Sequence, residues 1–207
     1  MAQKLFLSLL FLLSGAVDAV CAQETAEEKP AVAVSSCAIN NWGVVAEGIF
    51  RGEKLNNEAD YSCLSAMGVK TVVNLRYFHE DRQKLCAKHG LNCVSYPIKL
   101  ITGLNFKYET LQKAFYFVLA ERAAGRKVYF HCMHGSDRTG LLSAAIMIRD
   151  SACGKQFKAD ELWTTVDATL ARHGFHGIYG NLRKTAQSWV YDFEKNPWLC
   201  RDTPDTK

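Results

Sequence analysis

The stretch HCMHGSDRTG, from His131 to Gly140, decides the fold of this 207-residue chain. It follows a short apolar, β-prone run, Lys127–Phe130, and precedes an apolar, helix-prone run, Gly140–Arg149. A loop at such a strand-to-helix junction directs backbone N–H groups inward, and the helix N-terminus adds partial positive charge. The stretch therefore predicts an anion-binding loop at the carboxyl end of a strand.

Two side chains of this loop are suited to phosphoryl chemistry. Cys132 and Arg138 are six residues apart, a spacing at which a guanidinium can bind two oxygens of a phosphoryl group above the thiol. The positive field of the loop favours the thiolate form of Cys132, which is a nucleophile. Gly135 permits a tight turn, and Thr139 can donate a hydrogen bond toward the cysteine sulfur. A buried structural cysteine beside a helix-capping arginine is the alternative interpretation.

The loop resembles that of the cysteine-dependent protein tyrosine and dual-specificity phosphatases, and its HGSDRTG portion is similar to that of small bacterial members. Three further segments resemble the same group: IFRG at 49–52, MGVKTVVNLR at 67–76 and GFHGIYGNL at 174–182. The resemblance extends over residues 43 to 190. It implies a hydrolase of phosphate monoesters that forms a phosphocysteine intermediate and needs no metal or other cofactor.

Strand-like and helix-like segments alternate along the chain. The pattern predicts an α/β fold with a central, mainly parallel sheet of about four to five strands flanked by helices, like that of the dual-specificity phosphatases. Arg76, Pro97 and Cys132 each follow a predicted strand, so we expect one cleft to collect them. The predicted strands are Gly43–Ala46 and Ile49–Arg51 (an edge hairpin), Lys70–Leu75, Asn92–Tyr96 and Lys127–His131. The predicted helices are Asn57–Met67, His79–His89, Tyr108–Ala124, the one after the loop, Phe157–Arg172 and Tyr179–Lys195.

The chain divides into a removable leader and one domain. Lys4, the apolar run at 5–13 and the small residues before Gln23 are typical of a signal peptide over residues 1–22. Residues 23–40 are expected to form a flexible leader, 41–198 the phosphatase domain and 199–207 a tail. A periplasmic or secreted protein is expected, and a lipoprotein anchored at Cys21 is the alternative. No second apolar run has transmembrane length, so stable membrane insertion is not expected. The oligomeric state is not predicted.

The net charge and the residue spacing limit the classes of partner that this protein is expected to bind. The formal net charge of +4 suits anionic substrates, but it is too small and too scattered to indicate nucleic-acid binding. No Cys or His spacing resembles a zinc site. A phosphorylated protein or a small phosphate ester is therefore the expected partner.

Six cysteines remain besides Cys21 and Cys132, and in an exported protein this even number predicts up to three disulfides. Cys86 and Cys93 flank a helix-to-strand turn and are the expected local pair. A bond between Cys37 and Cys200 would connect the two ends of the domain. Six ordinary buried thiols are the alternative.

The general acid is the open question of the catalytic machinery. The family commonly supplies an Asp upstream of the cysteine, but the corresponding segment, PIKLITGLNF at 97–106, contains no carboxylate. Asp137, inside the loop, is the predicted acid, because a neighbouring phosphate dianion favours its protonated form. Glu80 or Asp81 folding over the cleft, or no acid at all, are the alternatives.

The remaining site residues have supporting roles in this prediction. The resemblance implies that His131 hydrogen-bonds the loop and tunes the thiolate. Arg76 is expected to hold the loop, meet substrate or form a structural salt bridge, and His176 to pack near the site. Phosphate-binding positions are Met133, His134, Gly135, Ser136 and Thr139. Three functions stay open: a phosphotyrosine or dual-specificity phosphatase, an inositol polyphosphate or phosphoinositide phosphatase, and a phosphate-binding module without turnover.

Overall fold

The computed structural model describes residues 36–100, 108–175 and 181–203, all within one compact unit, Ala33–Lys207. A five-stranded sheet has the order β1-β2-β5-β3-β4. Its strands are β1 (Gly43–Ala46), β2 (Ile49–Gly52), β3 (Val69–Asn74), β4 (Asn92–Ser95) and β5 (Lys127–His131). Only β1 and β2 pair in antiparallel fashion; the other three pairings are parallel. The predicted α/β fold with a mainly parallel sheet is therefore confirmed.

Helices cover both faces of this sheet. They are α1 (Glu58–Ala66), α2 (Gln83–Lys88), α3 (Tyr108–Ala123), α4 (Asp137–Ala152), α5 (Ala159–Arg172) and α6 (Leu182–Tyr191), followed by the 3₁₀ turns Phe193–Lys195 and Pro197–Cys200. A reciprocal capping box between Asn57 and Asp60 starts α1. The second helix starts at Gln83 rather than at the predicted His79, because residues 79 and 81 bond to β3 and β5 instead.

The strands alternate between two hydrophobic cores, as the two-residue period of a strand requires. Val73 and Phe130 lie in the larger core, which α3, α4, α5 and α6 complete. Val72 and Tyr129, their neighbours along the strands, lie in the smaller core with residues of α1 and α2. The central strand β5 is buried from Val128 onward, so the residue that follows it is fixed by rigid surroundings.

Three disulfides are present, and one predicted pairing is wrong. Cys86 joins Cys93, the expected local pair. Cys37 joins Cys63 and Cys153 joins Cys200, so the expected bond between Cys37 and Cys200 does not form. The physical reason is position: Cys37 packs in the smaller core beside α1, whereas Trp198 and Leu199, next to Cys200, pack in the larger core across the sheet.

Within the three described ranges, no helix is long and apolar enough to span a bilayer. The predicted signal peptide, Cys21 and His176 lie outside those ranges.

Candidate active site

The candidate site begins where β5 ends. Cys132 directly follows the strand, residues 132–136 form a loop, and Asp137 is the first residue of α4. The Cys132 side chain is 5% exposed, and among the described cysteines it alone is outside a disulfide. The predicted strand–loop–helix arrangement is therefore present, with a buried thiol at its base.

The backbone carbonyls of the loop all face the surrounding protein. Each has a hydrogen-bonding nitrogen next to it that belongs to a residue outside 132–136. Cys132 O lies 3.2 Å from His131 Nδ1, and Gly135 O accepts from Arg51 Nη2. Met133 O accepts from Lys54 N at 3.5 Å, and His134 O accepts from Asn41 Nδ2 at 2.9 Å. Ser136 O accepts from Gly140 N at 2.7 Å.

In a trans peptide the N–H group points away from the carbonyl of the same peptide unit, so the loop N–H groups point away from these partners. Within the described ranges, the N–H groups of Met133 to Ser136 donate to no protein acceptor. The positive end of α4 adds to their field, and Arg138, half-buried, lies in the first turn of that helix. A set of free N–H groups at a helix N-terminus, with an arginine in the first turn, can bind a phosphate dianion.

Strand β2 forms the floor beneath the loop. Gly135 has a φ of +71°, and a Cβ there would lie 2.6 Å from the Gly52 carbonyl atoms. Arg51, next to Gly52, is 1% exposed and donates to Ser143 Oγ at 3.1 Å as well as to the Gly135 carbonyl. No role for Arg51 was predicted; its place in the segment IFRG, a charge within an otherwise apolar strand, was the available signal.

A buried acid–histidine contact lies on the other side. His131 is fully buried, and its Nε2 is 3.0 Å from Asp81 Oδ2, whose side chain is 4% exposed. Both ring nitrogens thus face oxygen atoms and fix the ring orientation. This contradicts the alternative in which Asp81 folds over the cleft as general acid; Glu80 is exposed.

Asn41 connects the loop to the end of α5. Its Nδ2 donates to the carbonyls of His134 and His173, at 2.9 and 3.0 Å, and its Oδ1 is 2.7 Å from His173 Nδ1. Burial, with Arg51 and Arg172 nearby, lowers the pKa of His173 from 6.5 to about 4. His173 is therefore neutral at physiological pH and donates its Nδ1–H to Asn41.

Two contacts that the sequence suggested, one of Thr139 and one of Arg76, are not found among the described residues. Thr139 Oγ1 is fully buried and has no hydrogen-bond partner among the described residues, so the expected bond to the Cys132 sulfur does not form. Arg76 is half-buried and makes no ion pair in the described part of the chain, so the salt-bridge alternative is not observed.

An aromatic loop follows β3, the strand that pairs with β5. Asn74 binds the Arg76 N–H (2.8 Å) and the His79 carbonyl (2.9 Å) and so closes the loop between them. At its tip, Phe78 is 88% exposed with a φ of +86°, and its ring contacts that of Tyr77 at 4.1 Å. Lys99 Nζ is 5.5 Å from the Tyr77 ring.

The described residues contain no cluster of His, Cys, Asp and Glu side chains that could hold a metal ion. The site described above consists of a thiol, a guanidinium and backbone donors.

Solved structures with the same fold are phosphatases. The catalytic core of the PP-IP phosphatase SIW14 from S. cerevisiae is 18% identical, with a TM-score of 0.54 over 80% of this chain and 98% of its own. PTPMT1 is 17% identical (TM-score 0.54, covering 74% and 98%), and TpbA from P. aeruginosa is 17% identical (TM-score 0.51, covering 75% and 91%). A comparison with curated proteins found no match.

The profile of the tyrosine phosphatase family matches residues 38–149, more than half of the chain. The matched range includes β2, the loop and most of α4. The chain therefore belongs to the tyrosine phosphatase family, the cysteine-dependent phosphatases that hydrolyse phosphoric monoesters.

Proposed function

We propose that this protein is an exported phosphatase for phosphotyrosine, with dual specificity as an extension, acting through a phosphocysteine on Cys132. The observation that supports the proposal is the loop itself: every carbonyl has a hydrogen-bond donor next to it, so the loop N–H groups remain available to bind phosphoryl oxygens above the thiol. Arg138, half-buried in the first turn of α4, is the proposed side-chain ligand of those oxygens.

The reaction has two steps. The Cys132 thiolate attacks phosphorus in line, an S–P bond forms, and the P–O bond to the leaving group breaks. Asp137 gives its proton to the departing oxygen. Water then attacks the phosphocysteine, loses a proton to Asp137, and releases inorganic phosphate and the thiolate. The loop N–H groups and Arg138 stabilise the charge on the equatorial oxygens in both steps.

The aromatic rim supports an aryl ester as the substrate. Leu75 N donates to the His131 carbonyl at 2.8 Å, so the chain leaves β3 beside the residue that precedes Cys132. Phe78 is three residues further on, and three residues span at most about 11 Å. An exposed aromatic side chain at this distance can pack against the phenyl ring of phosphotyrosine.

Phosphorylated inositols are the competing substrate class, since one similar structure is that of a PP-IP phosphatase. Such polyanions call for several cations around the loop, whereas Met133, His134 and Ser136 occupy its outer positions. A comparison of phosphotyrosine peptides, phosphoserine peptides and inositol hexakisphosphate separates these classes. Faster turnover of the inositol phosphate would contradict the proposal, and phosphate binding without turnover of any ester would indicate a non-catalytic module.

The rim is tested by Phe78→Ala. Loss of one aromatic contact is expected to raise KM for a phosphotyrosine peptide by about two- to tenfold, with little effect on a phosphoserine peptide. Tyr191→Ala, which removes another exposed aromatic ring on α6, is the control. Equal changes for both peptides would remove the rim from substrate recognition.

Export is supported by the predicted signal peptide and by the three disulfides. Disulfides persist in oxidising compartments such as the periplasm. Mass spectrometry of the non-reduced protein from a periplasmic fraction should show loss of the first 22 residues and three bonded cysteine pairs. Free thiols at all six positions, or an intact leader, would contradict export.

A further inference from the structure

Arg51 is a charged side chain in the interior, directly beneath the phosphate loop. It is 1% exposed, and its two terminal nitrogens donate to the Ser143 hydroxyl and the Gly135 carbonyl, both uncharged. Its Nε has no hydrogen-bond partner among the described residues. A buried cation normally requires an anion nearby, because its removal from water is otherwise very unfavourable.

Cys132 is the candidate for the anionic partner of Arg51. Within the described ranges no carboxylate forms an ion pair with Arg51, and the groups that interact with its charge are Cys132, Tyr129 and the neutral His173. Burial lowers the pKa of Arg51 to about 10, so the guanidinium still carries its charge at neutral pH. Burial also raises the pKa of Tyr129 well above its usual value, so that phenol is neutral. Of these three groups, Cys132 is the one whose ionised form could balance the charge of Arg51.

The backbone explains why the arginine reaches this position. Arg51 pairs with Phe130 and Gly52 with His131 in the parallel β2–β5 ladder, so β2 ends beside the residue before Cys132. Gly52, which lacks a Cβ, contacts the loop at Gly135, where there is no room for a side chain. The guanidinium therefore reaches the loop on its carbonyl side, at Gly135.

We propose that Arg51 is a second cation of the active site, a positioning residue that fixes the loop through the Gly135 carbonyl and stabilises the Cys132 thiolate from beneath. Arg138 binds the phosphoryl group from above, whereas Arg51 never touches substrate. This inference rests on the proposed role of Cys132 as nucleophile. Other titratable groups around Cys132 are His131 on β5, Asp81 on the loop after β3, His134 in the loop, and Asp137 and Arg138 on α4.

The test measures the thiolate without any substrate. Alkylation of Cys132 by iodoacetamide follows its ionised fraction, so its rate against pH reports the charge environment. Arg51→Gln keeps a hydrogen-bond donor but removes the charge, and should slow alkylation at pH 6 about tenfold and move the profile to higher pH. Arg51→Lys keeps the charge and should restore the rate to within about threefold of wild type.

Two controls separate charge from folding. Arg149→Met removes an arginine that also binds carbonyls, those of Leu199 and Arg201 at the other end of α4, and should leave the alkylation profile unchanged. If Arg51→Gln does not fold, Arg51→Met replaces it as the variant without a charge at this position. An unchanged profile in the neutral variant, or equal slowing in Arg51→Lys and Arg51→Gln, would overturn the proposal. Because alkylation needs no turnover, an inactive wild type with the predicted profiles would contradict the proposed function and leave the Arg51 inference intact.

Discussion

The underside and the rim of the phosphate loop are built from different kinds of contact. Beneath the loop, Arg51, His131 and Asp81 are buried. Arg51 donates to Ser143 Oγ and to the Gly135 carbonyl, and His131 Nε2 contacts Asp81 Oδ2. Along the rim, His134, Phe78 and Glu80 are exposed. The underside sets the charge and shape of the loop, which every phosphate ester meets. The rim meets only the part of the substrate that differs from one ester to the next.

This difference predicts two classes of variant. Changes beneath the loop should affect all substrates alike or act through stability, because those residues contact only the loop and the core. Changes at the rim or at the start of α4 should separate substrates.

Asp137, at the start of α4 and half-buried, gives the largest separation. Asp137→Asn should slow esters with poor leaving groups, such as phosphoserine peptides, by about 10²–10⁴-fold, because an alkoxide needs a proton to depart. A nitrophenyl phosphate, whose leaving group needs none, should be affected far less. The measurement is kcat/KM for both substrates across pH. An equal loss for both would show that Asp137 shapes the loop instead of protonating the leaving group.

Asp81→Asn tests the underside. Replacing the carboxylate leaves His131 Nε2 without its buried anionic partner, and we expect unfolding to become easier by about 1–3 kcal/mol. Urea denaturation of the variant and wild type measures this loss. In the fraction that remains folded, the ratio of rates for phosphotyrosine and phosphoserine peptides should not change. A substrate-selective loss would place Asp81 in the chemistry after all.

His173 is tested through the pH dependence of stability. Its pKa is about 4 when folded and 6.5 otherwise, so between these values the unfolded chain binds more protons. The free energy of unfolding should therefore fall as pH drops from 6.5 to 4. The His173→Gln variant, whose side chain can still bind Asn41, should lose less free energy of unfolding between pH 6.5 and pH 4. Parallel stability curves for the two proteins would contradict a depressed pKa at His173.

The sequence was most informative where a local pattern decides the structure. The apolar run before Cys132, the glycine at the turn and the helix-prone run after it specify the strand, loop and helix with little help from the rest of the chain. Likewise Asn57 and Gly68 delimit α1 through capping and a positive φ, which are local effects.

Contacts between distant segments could not be predicted in the same way. Arg51 and Gly135 are 84 residues apart, and His131 and Asp81 are 50 apart, so only the strand order brings them together. The wrong Cys37–Cys200 pairing has the same origin, since nothing in the spacing shows that these cysteines lie on opposite faces of the sheet.

The central claim is that Cys132 carries the phosphoryl group during turnover, and trapping that intermediate tests it most directly. The protein is mixed with an aryl phosphate in the presence of a chelator, denatured within the first turnovers, digested and analysed by mass spectrometry. The account predicts one phosphoryl group on the peptide that contains Cys132, and neither label nor turnover in Cys132→Ser. A label on another residue, or hydrolysis that persists in Cys132→Ser, would contradict it.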